Sequence, residues 1–369
     1  MELRAERPDP GERIRLLLIT NELTAGAEYG FRDEFDRLWR DGLIDSYSAI
    51  APRALAAQGA DWMVDLHGML RAQQPNVVLV LSPSAFALNR STANAIAECG
   101  AHLLYWEGDA WGRGKPMTAA MRSWAERSDV VFSVAGSPQT DEFIRLGARS
   151  ARVILQTYCH VQFKEFEDCA PEDSLPSDDI AMIASSTARF GLISRVAGGT
   201  ARVRAVRHLS RLRDLRMSVY GYRWNGAYAR GPVAYGAQVG TIRRARISVN
   251  WDHFPSHANY SSDRLPISLL AGRVHVTTRH PGSLPYATDA LVEVSAVDTL
   301  ADTVVSLLDL PWEELYERGR AGWEYARYRL SDREAARFIL RAVDQRLPAP
   351  PSDPWLALEE GVLATSRSR

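Results

Sequence analysis

Short apolar runs recur along the chain, and each is followed by a polar loop and then by a stretch with helical spacing. A strand in which apolar and polar residues alternate has one solvent-exposed face, whereas a continuous apolar run indicates a strand that is covered on both faces. Such strands, separated by helices, are typical of doubly wound parallel sheets. The strands predicted in the first half of the chain are 13–20, 75–84, 101–109 and 128–137.

This pattern stops at residues 168–179 and then begins again. That segment is acidic, contains prolines and lacks aromatic residues, which is the composition of a linker. Beyond it we predict strands at 180–186, 215–222, 244–250, 273–278 and 290–296, followed by a long helix over 312–330. Because 369 residues exceed one ordinary core, we predict an α/β fold with two doubly wound domains, over 1–170 and 171–347, and a tail helix over 348–369.

Composition argues against several classes of protein. No apolar run reaches the roughly 18–20 residues that a membrane span needs. The first residues are charged and lack the apolar core of a signal peptide, so we expect a cytoplasmic protein. A formal net charge of −1 supplies no general attraction to nucleic acid. Cys99, Cys159 and Cys169 have no CxxC spacing, which argues against disulfides and structural zinc. The oligomeric state stays open.

One stretch in the second half sets polar residues directly before a short apolar run. The sequence Ser-Ser-Asp-Arg occupies 261–264, and the apolar run ends at Gly272. Pro266 has no N–H, so it is tolerated only in the first turn of a helix. We therefore expect a helix that begins near Asp263–Leu265 and runs to Ala271.

The residues that open this helix have the chemistry of an anion site. A helix start presents free N–H groups and partial positive charge, and Arg264 adds a guanidinium that suits phosphate. Asp263 would repel phosphate, so it would cap the helix or take a sugar hydroxyl. The alternative is an ordinary cap beside a solvated arginine. The candidate residues are Ser261, Ser262, Asp263 and Arg264.

The same helix lies within an ordered series of motifs. A strand ends in Asn, a Ser-x-Arg segment and a helix ending before Gly follow, and then come a strand ending in Thr and a Pro-Gly turn. The residues are Asn250, Ser262, Arg264, Ala271, Gly272, Thr277, Pro281 and Gly282. This series resembles the signature of the CgeB-like (spore maturation protein-like) group within the GT-B glycosyltransferase superfamily. With similar segments upstream, the resemblance covers roughly residues 75–345.

The resemblance implies two Rossmann-like domains that face each other across a cleft. The first would hold a small-molecule acceptor and the second a nucleotide-diphosphate sugar, so the protein would be a glycosyltransferase of the hexosyltransferase type. It implies no cofactor beyond the co-substrate and no metal, because a helix dipole and arginine meet the charge of the diphosphate. The donor-binding residues that it implies are Arg189, Gly221, Tyr222, His257, Ser261, Ser262, Asp263 and Arg264.

Loops after the strands of the first domain carry the candidates for the acceptor side. Glu28 and Asp109 are candidates to orient or deprotonate an acceptor hydroxyl. Trp106 and Trp111 are candidates to stack on a sugar ring. The alternatives are a capping role for Asp109 and packing at the edge of the cleft for both tryptophans.

One position departs from the family pattern. Where the family usually has a Glu that holds the donor ribose, this chain has Ile267. Asp263 is then the nearest carboxylate, and a non-catalytic binding or assembly protein of the spore-coat kind becomes an alternative function. A sugar-nucleotide epimerase on the same fold is a further alternative. Two donor candidates have a structural alternative to donor binding. Arg189 would be a solvent-exposed side chain, and Tyr222 would pack in the core.

Overall fold

The structure is a computed structural model that describes the backbone of residues 12–24, 29–189, 193–212, 214–284, 286–351 and 353–358, with the side chains of Tyr29 and Arg189 left out. Within these ranges, six parallel strands form the first sheet, in the order β2-β1-β3-β4-β5-β6 across it. They are β1 (Arg15–Ile19), β2 (Ser46–Ile50), β3 (Val77–Leu81), β4 (His102–Glu107), β5 (Val130–Ser133) and β6 (Ser150–Val153).

Helices cover both faces of this sheet, which explains its continuous apolar strands. In β1, Leu16 and Leu18 pack into one apolar cluster, whereas Leu17 and Ile19 pack into another on the opposite face. The helices are α1 (Tyr29–Arg40), α2 (Pro52–Ala57), α3 (Trp62–Gln73), α4 (Arg90–Glu98), α5 (Ala119–Ala125), α6 (Gln139–Leu146) and α7 (Lys164–Asp168).

The second domain repeats this architecture after the predicted linker. Its parallel strands are β7 (Asp178–Ile183), β10 (Met217–Tyr220), β11 (Ala229–Gly231), β12 (Ala245–Val249), β13 (Val274–Thr278) and β14 (Leu291–Val294), in the order β11-β10-β7-β12-β13-β14. A hairpin of β8 (Ala188–Arg189) and β9 (Ile193–Ser194) follows β7. The helices are α8 (Gly199–Leu209), α9 (Gln238–Arg243), α10 (Arg264–Leu270), α11 (Val297–Leu308), α12 (Trp312–Arg329) and α13 (Asp332–Arg341).

The structure confirms all nine predicted strands and the long helix α12. Sequence reasoning missed the strands β2, β6 and β11, each of which lies at the edge of a sheet, and the hairpin of β8 and β9. Edge strands pair on one side only and bury less, so their sequences lack a continuous apolar run. The four residues of β6, for example, are only partly buried.

Helix α13, which falls within the predicted second domain of 171–347, packs on the first domain instead. After α12, the N–H of Tyr158 donates to the carbonyl of Leu330 at 3.0 Å, and the N–H of Asp332 donates back to Tyr158 at 3.0 Å. Helix α13 then packs against α1, where Arg337 bonds Glu34 at 2.7 Å. Residues 353–358 are helical, and the rest of the predicted tail helix lies outside the described residues. The C-terminal part of the chain, from α13 onwards, thus forms part of the first domain.

The two domains meet along a seam of direct backbone contacts. The N–H of Gly136 donates to the carbonyl of Ala258 at 2.7 Å, and the N–H of Ala258 donates to Ser137 at 2.9 Å. A Cβ at Gly136 would stand 2.9 Å from the Ala258 oxygen, so glycine permits this approach. In the described part of the chain, no helix has the length and apolarity to cross a bilayer.

Candidate functional site

Two adjoining cavities lie between the domains. The small cavity, of about 210 Å³, is lined by Asp109, Ala110, Lys115, Ser185, Arg202, Asp252, His253, Phe254, Tyr260, Ser262 and Arg264. The large cavity, of about 510 Å³, is lined by Phe31, Trp106, Gly108, Asp109, Gln156, Thr157, Cys159, Gln162, Tyr235, Asp263, Arg264 and Asp332. Asp109 and Arg264 belong to both walls, so the cavities form one cleft.

The topology of parallel sheets explains why these residues meet. Asp109 follows β4, Ser185 follows β7 and Asp252 follows β12, so each comes just beyond the carboxyl end of a strand. Carboxyl ends of parallel strands share one edge of a sheet, and ligands bind beyond that edge in open α/β folds. The cleft therefore occupies the place where such a fold is able to hold a ligand.

Arg264 stands at the start of α10, where the sequence placed it. The helix begins at Arg264 and ends before Gly272, which takes a φ of +68°. Asp263 does not cap the helix, because its carboxylate pairs with the guanidinium of Arg264 instead. The Nε of Arg264 donates to the carbonyl of Ile183 at 3.3 Å. Arg264 thus places a positively charged guanidinium in the cleft, and the end of β7 anchors it there.

Arg202, which sequence reasoning missed, projects from α8 into the small cavity. Its Nε donates to the carbonyl of Trp251 at 2.7 Å and its Nη1 to that of Ser185 at 3.2 Å. Burial and, to a smaller extent, the charge of Arg264 lower the pKa of Arg202 to about 10. Arg202 therefore stays charged at neutral pH beside a second cation. Because the charge of Arg264 disfavours the charge of Arg202, an anion bound beside both guanidiniums would be favoured.

Asp252 supplies a buried carboxylate to the same cavity. Burial alone would raise its pKa, but hydrogen bonding and charge from His280, with the charge of Arg202, lower the pKa to about 2. The Nε2 of His280 lies 3.1 Å from the carboxylate. The amide of Asn250 donates to Asp252 at 2.7 Å and to the hydroxyl of Ser262 at 3.2 Å. Asp252 is ionised, and the network fixes Ser262 at the cavity wall.

The first domain contributes Asp109 and Trp106, two of the predicted acceptor-side candidates, to the walls of the cleft. The carboxylate of Asp109 is 70% exposed and lies 3.0 Å from the Nζ of Lys115. The ring of Trp106 lines the large cavity and packs against Phe31, with centroids 5.3 Å apart. Asp109 faces both cavities, so it is placed to reach ligands in either one.

Two predicted site residues, Trp111 and His257, do not line the cleft. The ring of Trp111 packs edge-on against Phe143 at 5.6 Å, inside the first domain, and lines neither cavity. His257 points its Nε2 at the Trp111 carbonyl, 2.9 Å away, and lines neither cavity. The histidine that lines the small cavity is His253. Burial and the charge of Arg202 lower the pKa of His253 to about 3, so this imidazole is neutral.

The remaining donor candidates lie away from the walls of the cleft. Tyr222 is 65% exposed, neither packed in the core nor lining a cavity. Gly221 takes a φ of +137°, and a Cβ there would stand 2.6 Å from the Ala184 carbonyl oxygen, so it permits a close approach to the end of β7. Ser261 is buried behind the wall, 3.5 Å from the hydroxyl of Tyr286.

Two candidates fall outside the described residues. They are Glu28 and the side chain of Arg189, whose backbone lies in the hairpin.

Sequence reasoning missed eight of the eleven residues that line the small cavity, and five of these have ionisable side chains: Lys115, Arg202, Asp252, His253 and Tyr260. Most of these residues have no distinctive sequence signal. Arg202, for example, lies in a helix with other arginines and cannot be told apart from them by sequence. Lys115 alone had a signal, as one of two lysines in the chain. Within the described ranges, no group of three or more His, Cys, Asp or Glu side chains is arranged to hold a metal ion.

Comparisons with known proteins give fold-level likeness only. No family model matches the chain, and no curated protein matches it in sequence. Among solved structures, an α-glucosyltransferase in complex with UDP and a 13-mer DNA containing an HMU base has a TM-score of 0.57 at 9% identity, over 90% of this chain and 99% of that one.

Two further solved structures are similar over nearly their whole length. The N-terminal domain of trehalose-6-phosphate phosphatase from Candida albicans has a TM-score of 0.55 at 9% identity, over 92% of this chain and 100% of that one. The UDP-forming α,α-trehalose-phosphate synthase from Burkholderia xenovorans has a TM-score of 0.50 at 11% identity, over 89% and 99%. The chain has the GT-B fold. Two six-stranded parallel sheets facing across a cleft fit that assignment.

Proposed function

We propose that this protein is a glycosyltransferase of the CgeB-like group, which moves a sugar from a nucleotide diphosphate to a hydroxyl of a small-molecule acceptor. One observation carries the proposal: Arg202 and Arg264 bring two guanidiniums to the small cavity, at the carboxyl edge of the second sheet. A fold hosts many chemistries, so the argument rests on this site rather than on the likeness alone. The three unpaired cysteines fit a cytoplasmic location.

The donor would lie with its diphosphate in the small cavity. Glycosyl transfer passes through an oxocarbenium-like state while negative charge grows on the departing diphosphate. Arg202 and Arg264 are already oriented by backbone carbonyls, so they would stabilise that charge without reorganising. Lys115 would add a cation from the opposite domain. These groups would stabilise the negative charge on the diphosphate, which a metal ion does in other enzymes. We therefore propose a metal-independent reaction without a cofactor.

The acceptor would lie in the large cavity. Its walls combine the aromatic rings of Phe31, Trp106 and Tyr235 with amides and carboxylates, which suits a polyhydroxylated molecule. A volume of about 510 Å³ has the size of a small-molecule site. Asp109 stands between the two cavities and would orient or deprotonate the acceptor hydroxyl. Asp263 and Asp332 would accept hydrogen bonds from other hydroxyls.

A nucleotide screen tests the donor half of this proposal. UDP, dTDP, GDP and ADP, free and linked to a sugar, are added to the protein in a thermal-shift assay. A ligand at 100 times its Kd stabilises the folded state by about 2.7 kcal/mol, so a true donor raises the Tm clearly. Arg264→Ala should weaken binding of that nucleotide at least about tenfold, because it removes a charge-assisted contact worth about 1.5–3 kcal/mol.

The matched control is Arg204→Ala, which removes an arginine from the same helix as Arg202. Arg204 pairs with Asp298 at 2.9 Å on the exposed side of α8, so this variant should bind like the wild type. The proposal is wrong if no nucleotide shifts the Tm, or if Arg264→Ala binds as tightly as Arg204→Ala. Product analysis separates transfer from epimerisation, which consumes donor without an acceptor.

A second candidate function, a non-catalytic binding or assembly protein, is favoured by Ile267. This side chain is fully buried among apolar neighbours, so it offers no hydrogen bond to a ribose. Such a protein would bind the nucleotide in the screen above and release no transfer product with any acceptor. Turnover of a donor, above the rate measured for Arg264→Ala, would exclude this candidate.

A further inference from the structure

The loop that carries Asp109 is clamped at both ends by one buried side chain. Gln139, at the start of α6, is 1% exposed. Its Nε2 donates to the carbonyl of Asp109 at 2.9 Å, and its Oε1 accepts the N–H of Trp111 at 3.1 Å. The backbone of 109–111 is thereby held to the first domain, whereas the Asp109 carboxylate itself is mostly exposed.

The same loop is also held from the second domain. The carbonyl of Trp111 faces His257, whose Nε2 lies 2.9 Å away. A carbonyl only accepts, so the proton of this imidazole is on Nε2. The ring is buried and packs against Phe254 with centroids 5.0 Å apart, while Phe254 also stands over Gly112. The contact is therefore a packed, buried hydrogen bond across the domain seam.

His257 is tied in turn to the wall of the small cavity. Its backbone carbonyl lies 3.2 Å from the Nδ1 of His280, and the Nε2 of His280 lies 3.1 Å from the Asp252 carboxylate. Both histidines and Asp252 are buried. A continuous chain of hydrogen bonds thus runs from Asp252, beside the guanidinium of Arg202, to the loop of Asp109 in the other domain.

We propose that His257 is a positioning residue, which fixes Asp109 over the small cavity through the Trp111 carbonyl. The inference rests on the proposed function, because Asp109 matters as the group that acts on the acceptor. A misplacement of about 1 Å at reacting groups costs as much as a hundredfold in rate. Of the described residues of the second domain, His257 alone hydrogen-bonds the peptides of 109–111. Ala197 holds the loop further on, where its N–H donates to the carbonyl of Arg113 at 3.2 Å. His257 therefore makes the second-domain hydrogen bond that lies nearest to Asp109 along the loop.

The test compares two substitutions that differ in one hydrogen bond. His257→Leu keeps the bulk and removes the donor, whereas His257→Gln places an amide N–H at similar reach. With the nucleotide sugar selected by the donor screen, His257→Leu should lower kcat about tenfold or more while the donor KM stays within about twofold. His257→Gln should recover most of kcat. His208→Leu, which removes a histidine from α8 far from the seam, should match the wild type.

A second readout does not need turnover. Amide hydrogen exchange over peptides that span 105–117 should increase in His257→Leu and remain near the wild-type level in His257→Gln and His208→Leu. If His257→Leu does not fold, His257→Asn is used, because its amide is too short to reach the Trp111 carbonyl. The expectations are then the same.

The outcomes separate this inference from the proposed function. Exchange that is unchanged over 105–117 in His257→Leu overturns the inference, as does a variant whose donor KM rises while kcat holds. A protein that binds no nucleotide overturns the proposed function, and the exchange comparison still decides whether His257 holds the loop.

Discussion

Ile267 lies on the buried face of α10, and none of its side chain is exposed. It belongs to the same apolar cluster as Leu269 of that helix and Trp323 of α12. An ionised carboxylate there would lose its hydration without a partner, which is costly. Ile267 therefore contributes to core packing, whereas the family resemblance implies a Glu that binds the donor ribose at this position. The carboxylates of the cleft come from other positions, namely Asp109, Asp252, Asp263 and Asp332.

Glu107 makes the stability of the first domain depend on pH near neutrality. Burial raises the pKa of Glu107 to about 7, against the opposing hydrogen bond from Tyr105. A carboxyl whose pKa is raised by folding contributes stability below its unfolded pKa, and this is lost as the pH rises through about 7. The loss is about 3 kcal/mol. We expect the free energy of unfolding of the wild type, measured in urea, to fall between pH 5 and pH 8.

Glu107→Gln removes this titration while keeping an acceptor for the N–H of Asp109, which donates to Glu107 at 3.0 Å. Its free energy of unfolding should change much less over the same pH range. Glu126→Gln, at an exposed site of the same domain, should retain the wild-type slope. An equal slope in the wild type and Glu107→Gln would contradict the prediction.

The hairpin and α8 act together as the element that presents Arg202. A turn through Gly198 leads from the hairpin into the helix, with a φ of +61°. A Cβ on Gly198 would stand 2.5 Å from the carbonyl oxygen of Asp252 and 2.7 Å from that of His253. The start of α8 therefore rests directly on the loop after β12, and glycine is required there for two reasons.

Gly198→Ala and Gly231→Ala separate these two reasons. Gly231 also takes a positive φ, of +77°, but nothing lies within 4 Å of a Cβ built on it. Gly231→Ala should lose about 1–2 kcal/mol from backbone strain alone. Gly198→Ala should lose at least about 3 kcal/mol, because overpacking adds to the strain. Urea unfolding of both variants measures the difference, and equal losses would show that the loop after β12 moves away freely.

At the scale of the whole molecule, α13 ties the end of the chain to its beginning. Glu34 of α1 is fully buried and pairs with Arg337 of α13 at 2.7 Å and with Arg37 at 2.6 Å. Phe338 of α13 packs between Phe132 of the first sheet and Trp355. The domains are therefore not independent in sequence, because the first core contains residues from both ends of the chain.

Arg337→Ala tests this tie. It leaves a buried carboxylate with one cation fewer, so we expect a loss of about 2 kcal/mol in the free energy of unfolding. Arg320→Ala, which removes an exposed ion pair on α12, should cost less than about 1 kcal/mol. A double-mutant cycle with Glu34→Gln measures the coupling directly. Absence of coupling would mean that α13 is held by its apolar face alone.

Sequence alone determined the fold class, the nine predicted strands and the approximate bounds of α10. Continuous apolar runs report burial on both faces, and helix ends follow local rules for proline and glycine. Five cleft residues could be placed for the same reason, since each lies near the carboxyl end of a strand or the start of a helix: Trp106, Asp109, Ser262, Asp263 and Arg264.

Tertiary structure alone decided which side chains line the cleft beyond those five. His253 and His257 are four residues apart on one loop, yet one lines the small cavity and the other holds the seam. Arg202 and Arg204 lie two apart on α8, and only the first is buried beside Asp252. Such differences depend on the direction of a side chain relative to a distant domain, and local spacing carries no record of that direction.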